Sequence, residues 1–136
     1  MFRTLDEKVS VFGQITPEDV AMAGTGGFAM IINNRPDGEQ DGQPAGAAIE
    51  AAARAAGIAY RAIPVDHSGF DEGQVEAMAA ALGAAEGPVL AFCRSGTRST
   101  FLWALASARL GEDGDVLVAK ASNAGYDIAA IRHALG

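Results

Sequence analysis

Two short runs, Phe28-Ala29-Met30-Ile31-Ile32-Asn33 and Pro88-Val89-Leu90-Ala91-Phe92, constrain this chain more than any other feature. Each is apolar at consecutive rather than alternate positions and is bounded by glycine or proline, the mark of a strand covered on both faces. Such strands require helices on both sides of a sheet, and helical stretches do alternate with the apolar runs. Val9-Ser10-Val11-Phe12 predicts a short strand ahead of them. Thr16-Pro17-Glu18-Asp19 then opens a helix, with Thr16 as cap, Pro17 at the first helical position and acids in the first turn. Residues 44–56 predict an alanine-rich helix closed by Gly57, and residues 58–65 a further strand. Asp71 and Gln74 make a capping box for a helix reaching about Leu82. Residues 99–110 form the next helix, and two shorter ones follow around residues 116–122 and 127–135. The expected fold is α/β, with a mostly parallel central sheet of about four to five strands, right-handed crossovers and helices on both faces. At 136 residues the chain is expected to form a single domain, residues 1–136.

In such a sheet ligands bind beyond the carboxyl ends of the strands. Three predicted loops occupy that rim, at residues 33–39, 66–70 and 93–98. Composition narrows what they can hold. Ten basic against seventeen acidic residues give a formal charge of −7, which argues against a nucleic-acid or membrane-surface partner. No apolar run approaches the roughly 20 residues of a spanning helix, and the first ten residues are too polar for a secretion signal. A cytoplasmic location is the resulting expectation. One cysteine permits neither an internal disulfide nor a cysteine zinc site, and two separated histidines do not suggest a metal. No metal or cofactor is expected, and any thiol chemistry must run through Cys93.

The segment Phe92-Cys93-Arg94-Ser95-Gly96-Thr97-Arg98-Ser99 carries the strongest chemical signal. A buried strand delivers Cys93 to the rim, and the chain turns at once into a helix. If the loop curls about its centre, the backbone N–H groups from Arg94 to Arg98 point inward as an anion nest, and the helix adds its positive end. Gly96 allows the curl. Arg98 can fork two donors onto an oxyanion, Arg94 at the mouth attracts anions, and Ser99 can cap the helix or donate to the thiolate. All of these favour negative charge at Cys93, where an isolated cysteine would ordinarily be a small buried hydrophobe.

Cys93-x-x-Gly-x-Arg98 resembles the active loop of rhodanese-type sulfurtransferases, whose cysteine carries a persulfide. Over most of its length the chain also resembles the small bacterial family of beta-lactamase-hydrolase-like, phosphatase-like domains. That resemblance runs through Phe12-Gly13-Gln14, Ile31-Ile32-Asn33-Asn34-Arg35-Pro36-Asp37-Gly38-Glu39, Ile63-Pro64-Val65-Asp66 and the cysteine loop. It implies a protein-tyrosine-phosphatase-like fold, with a rhodanese-like one as second choice. It also implies a sulfur-oxidising enzyme as partner, since some members are fused to or encoded beside one.

Four residues separate Cys93 from Arg98, as in single-domain rhodaneses, whereas cysteine phosphatases have five and usually place histidine where Phe92 stands. The tighter ring implies a sulfane sulfur on Cys93. The first expectation is therefore a sulfurtransferase that takes sulfur from a small anionic donor such as thiosulfate and passes it to a thiol or cyanide. The alternative is a phosphatase acting on a phosphate ester with Cys93 as nucleophile, Arg98 as clamp and Asp66 as general acid. A third reading is a non-catalytic anion-binding or redox-sensing module. Ser95, Gly96 and Thr97 complete the expected anion site. Arg35 and His67 are candidate rim residues; Arg35 and Glu39 could pair to brace the cysteine loop or contact substrate, with an exposed pair worth at most about 1 kcal/mol as the favoured reading. Trp103 is expected in the core, and Tyr126 receives no role.

Overall fold

The computed structural model describes residues 2–136, and its sheet has five strands in the order β1-β2-β5-β3-β4. β2 (Val9–Phe12), β5 (Val89–Phe92), β3 (Met30–Asn33) and β4 (Ala59–Ala62) are mutually parallel, and β1 (Arg3–Thr4) pairs antiparallel with β2 at one edge. The crossovers are α1 (Pro17–Thr25), α2 (Gly46–Ala55) and α3 (Glu72–Ala84); α4 (Thr97–Arg109), α5 (Gly114–Asn123) and a terminal 3-10 helix (Ala129–Leu135) follow β5. The expected mostly parallel α/β sheet is thus present, extended by a two-residue antiparallel strand that has no periodicity to read.

Alternate side chains of the central strands enter two separate cores. Val89 and Ala91 of β5, Met30 and Ile32 of β3, and Val9 and Val11 of β2 pack toward α3, α4 and α5. Ile31, Leu90 and Phe92 face the opposite way, onto α1 and α2. Every residue of β3 and β5 is buried, which is why neither run alternates in sequence. The strand predicted at residues 58–65 is regular only over Ala59–Ala62, where it forms an exposed sheet edge.

Local chemistry sets the helix starts. Thr16 accepts from the Asp19 amide while the Asp19 carboxylate accepts from the Thr16 amide, a reciprocal box, and Asp71 and Gln74 repeat it at α3. α4 begins two residues earlier than its sequence predicts, so Arg98 belongs to its first turn and not to the loop before it. Trp103 is wholly buried in α4 and its indole N–H donates to Asp6 at 3.2 Å. Among the described residues no helix is long and apolar enough to cross a membrane.

Leu90 sits at the centre of the smaller core with no exposed surface. Leu90→Ala is expected to lower unfolding free energy by about 2–5 kcal/mol, read as a lower urea midpoint with unchanged slope.

Candidate active site

All four parallel strands end on the same rim, and the residues just past each end form the site. β5 hands Cys93 to the loop, β3 continues into Asn34 and Arg35, β4 leads to Val65 and Asp66, and β2 to Gly13 and Gln14. Asn34 joins three of these ends. Its amide donates to the Phe92 carbonyl at 2.8 Å, its side-chain N–H₂ to the Ile63 carbonyl at 3.0 Å, and its carbonyl accepts from the Val65 amide at 2.9 Å. Its Oδ1 accepts from Ser99 Oγ at 2.8 Å. Ser99 is fully buried in that bond, so it neither caps α4 nor donates to Cys93 as its sequence position suggests. The cap position belongs to Gly96, at φ +91, a left-handed conformation that favours glycine.

Cys93 is fully buried at the floor of the loop, and its Sγ accepts the Gly96 amide at 3.1 Å. One N–H of the expected nest therefore points at the sulfur itself. The Thr97 and Arg98 amides lie in the first turn of α4, where a helix leaves its donors without internal partners. Arg94 is exposed at the mouth, and Ser95 and Thr97 pair their hydroxyls at 3.1 Å on the outer side.

Glu39 organises the charge. Its carboxylate accepts from Arg98 Nη1 at 2.8 Å and Nη2 at 2.9 Å, and from Arg35 Nε at 2.8 Å. Arg98 Nη1 also donates to the Val65 carbonyl at 2.6 Å. The end-on fork of the guanidinium is thus held by protein, which leaves its other edge, Nε with the second Nη2 hydrogen, for a ligand. The Arg98 charge is strengthened chiefly by Glu39, with a smaller contribution from neighbouring Cys93. Hydrogen bonding from Arg98 carries Glu39 down to about 2 against the opposing effect of burial, with Arg35 adding to it.

Arg35 is only 3% exposed and also donates to Gln14 Oε1 at 3.1 Å. The exposed pair expected of Arg35 and Glu39 is instead a buried brace, because Arg98, 59 residues away, completes it. Sequence spacing shows the i,i+4 pair but not the third member. His67 is 77% exposed and stands 3.9 Å from Glu39 at the edge of the site.

Asp66 does reach the rim, yet both its hydrogen bonds go to Ser68, whose amide donates at 2.9 Å and whose hydroxyl at 2.5 Å. Those bonds hold the carboxyl below its usual range, so it is a carboxylate near neutral pH. A general acid must carry a proton, so Asp66 would have to leave Ser68 and take one up to serve in that role. The loop is further gripped by a residue to which the sequence gives no role: Tyr126 Oη donates to the Ser95 carbonyl at 3.0 Å.

The family model for the phosphatase-like domain of beta-lactamase hydrolase-like proteins matches residues 1–110. A beta-lactamase hydrolase-like protein of Xylella fastidiosa is 40% identical over 101 residues, covering 74% of this chain and 23% of the relative. The chain spans about a quarter of the length of the curated relatives it matches. The crystal structure of a phosphatase candidate from Neisseria meningitidis superposes with a TM-score of 0.83 at 34% identity, covering 97% of this chain and 94% of that one. P. aeruginosa TpbA in complex with pTyr shares the fold at 17% identity and TM-score 0.67, over 98% of this chain and 79% of the other. The architecture is accordingly protein-tyrosine-phosphatase-like.

Because the Glu39 carboxyl is lowered from 4.5 to about 2 on folding, its stabilisation is complete above pH 4.5 and is lost as pH falls from there toward 2. Glu39→Gln should be less stable than the unmodified chain at pH 7, with the gap narrowing below pH 4.5. Urea midpoints measured from pH 7 to pH 3 check this; a gap that stays constant across that range contradicts it.

Proposed function

Since the chain belongs to the family of phosphatase-like domains of beta-lactamase hydrolase-like proteins, we propose that it is a cysteine-dependent phosphatase for monoesters with weakly basic leaving groups. The observation that carries this is the Arg98 guanidinium, fixed on one edge by Glu39 and Val65 and open on the other beside Cys93. Cys93, as thiolate, attacks phosphorus; the S–P bond forms as the ester P–O bond breaks, and the alcohol oxygen leaves with the electron pair. Arg98 and the first-turn amides of α4 bind the remaining oxygens, whose charge is greatest in the transition state. Water then attacks the phosphocysteine, releasing phosphate and the thiolate. Asp66, ionised and tied to Ser68, gives the leaving oxygen no proton. That limits efficient substrates to aryl or similarly stabilised esters.

Sulfur transfer remains a second reading, favoured by one specific observation: only four residues separate Cys93 from Arg98, and no positioned acid is required. The thiolate would attack the outer sulfur of thiosulfate, the S–S bond would break, and sulfite would leave with the electron pair. Cyanide or a thiol would then take the sulfur from the persulfide. On this reading a sulfur-oxidising enzyme is the natural partner.

One set of assays separates the readings. Aryl-phosphate hydrolysis abolished by Cys93→Ser, and changed less than about threefold by Asp66→Asn, is the expected result; a threefold change corresponds to about 0.7 kcal/mol of barrier. A mass gain of one sulfur on incubation with thiosulfate, with thiocyanate formed on adding cyanide and no phosphate release, would replace it with sulfur transfer. Neither activity would make the domain an anion-binding module.

A further inference from the structure

We propose that Tyr126 is a positioning residue that aims the Gly96 amide at the Cys93 sulfur through the peptide unit joining Ser95 to Gly96. The C=O of Ser95 and the N–H of Gly96 belong to one planar trans unit, so they point in opposite directions. The Tyr126 hydroxyl donates to that carbonyl at 3.0 Å, and the amide on the other side donates to Cys93 Sγ at 3.1 Å. Fixing one end of the unit fixes the other. The two hydrogen bonds also polarise each other in series, so that a proton donated to the carbonyl strengthens the amide as a donor to negative sulfur.

Three further features tie the tyrosine to this task. Gly96 has φ +91, and a methyl group built there would overlap the Tyr126 hydroxyl, so the residue between tyrosine and sulfur is restricted by backbone and contact alike. Arg3 lies 5.7 Å from the centre of the Tyr126 ring and its Nη1 donates to the Ala124 carbonyl at 2.9 Å, which holds the ring in place. Burial raises the Tyr126 hydroxyl above its ordinary value, against a lowering by Arg3, so it stays a donor across the working pH range. Tyr126 also lies beyond residue 110, where the match to the family model stops. The C-terminal segment thereby contributes an atom to the cysteine loop.

The other charged groups facing Cys93 are Arg98 from the first turn of α4, with Glu39 and Arg35 behind it; Arg94 is at the loop mouth, and Asp66 and His67 at the β4 side of the rim. Tyr126→Phe leaves all of them unchanged. It keeps the ring and its contact with Arg3 and removes only the hydroxyl.

The inference rests on Cys93 being the reacting thiol, and alkylation reads that thiol without requiring either transfer reaction. Iodoacetamide alkylation rates are measured against pH for the full chain, for Tyr126→Phe, and for a chain carrying 3-fluorotyrosine, a stronger donor, at position 126 alone. In Tyr126→Phe the half-maximal pH is expected to rise by about half a unit, about threefold less thiolate on the acid side, the size of one weakened hydrogen bond. Fluorotyrosine is expected to move it down. An unchanged pH profile in Tyr126→Phe, or displacement of both proteins in the same direction, overturns the proposal. If Tyr126→Phe does not fold, the fluorotyrosine protein decides: a lower half-maximal pH supports the proposal and an unchanged one ends it. Loss of phosphatase activity without any change in the alkylation profile would leave the proposed function standing and this inference refuted.

Discussion

A single carboxylate shared between two guanidinium groups underlies the arrangement of this site. Glu39 takes both terminal nitrogens of Arg98 and the Nε of Arg35, and neither arginine could be so enclosed without it. Arg35 is buried, and a buried cation without a partner would cost several kcal/mol, on the order of 3–5 when one member of such a pair is removed. The same contact decides which edge of Arg98 is free. Stability and ligand geometry thus meet in one ion cluster, and the loop bearing Glu39 becomes part of the site although no atom of it is needed for bond making. Gln43 secures that loop, accepting from the Glu39 amide at 3.1 Å and donating to the Pro36 carbonyl at 2.9 Å.

The cysteine loop is held by backbone and side-chain contacts at successive carbonyls. The Gln14 amide donates to the Arg94 carbonyl at 3.2 Å, with Gly13 so close that a side chain there would collide with that carbonyl. Tyr126 takes the next carbonyl, that of Ser95. Within the loop, Thr100 donates both its amide and its hydroxyl to the Gly96 carbonyl, at 2.9 and 2.8 Å, which draws the turn down onto α4. Successive carbonyls are thereby engaged around the outside, as a nest of inward-facing amides requires.

Much of the architecture is legible in the residues because its causes are local. The two wholly apolar runs can only be covered strands, and the boxes at Thr16–Asp19 and Asp71–Gln74 satisfy helix donors with neighbours three positions away. Cys93 and Arg98 stand out for the same reason, the strand, turn and helix being contiguous. What escapes is tertiary. Ser99 reads as a cap or thiolate donor until Asn34, 65 residues away, accepts its hydrogen bond. Arg35 and Glu39 read as a surface pair until Arg98 covers them. Tyr126 reaches Ser95 across 31 residues through helices that carry no chemical motif. Asp66 shows the converse: its position at the end of β4 is readable, but its engagement with Ser68 is a loop conformation that spacing does not specify. Ranking sulfur above phosphorus from loop length and from Phe92 in the usual histidine position likewise gives weight to two local features over a whole scaffold shared with phosphatases.

The ion cluster has a kinetic consequence as well. Arg35, Arg98 and Arg94 against Glu39 and Asp66 leave one surplus positive charge at the rim to face a Cys93 thiolate, on a chain whose formal charge is −7. An approaching anion is first repelled by the molecule as a whole and is drawn in only within a screening length, about 8 Å at physiological ionic strength. Added electrolyte weakens both fields, so it should hasten encounter while loosening the grip once contact is made. Ionic strength then acts in opposite senses on capture and retention, and a dianion feels the conflict more strongly than a monoanion.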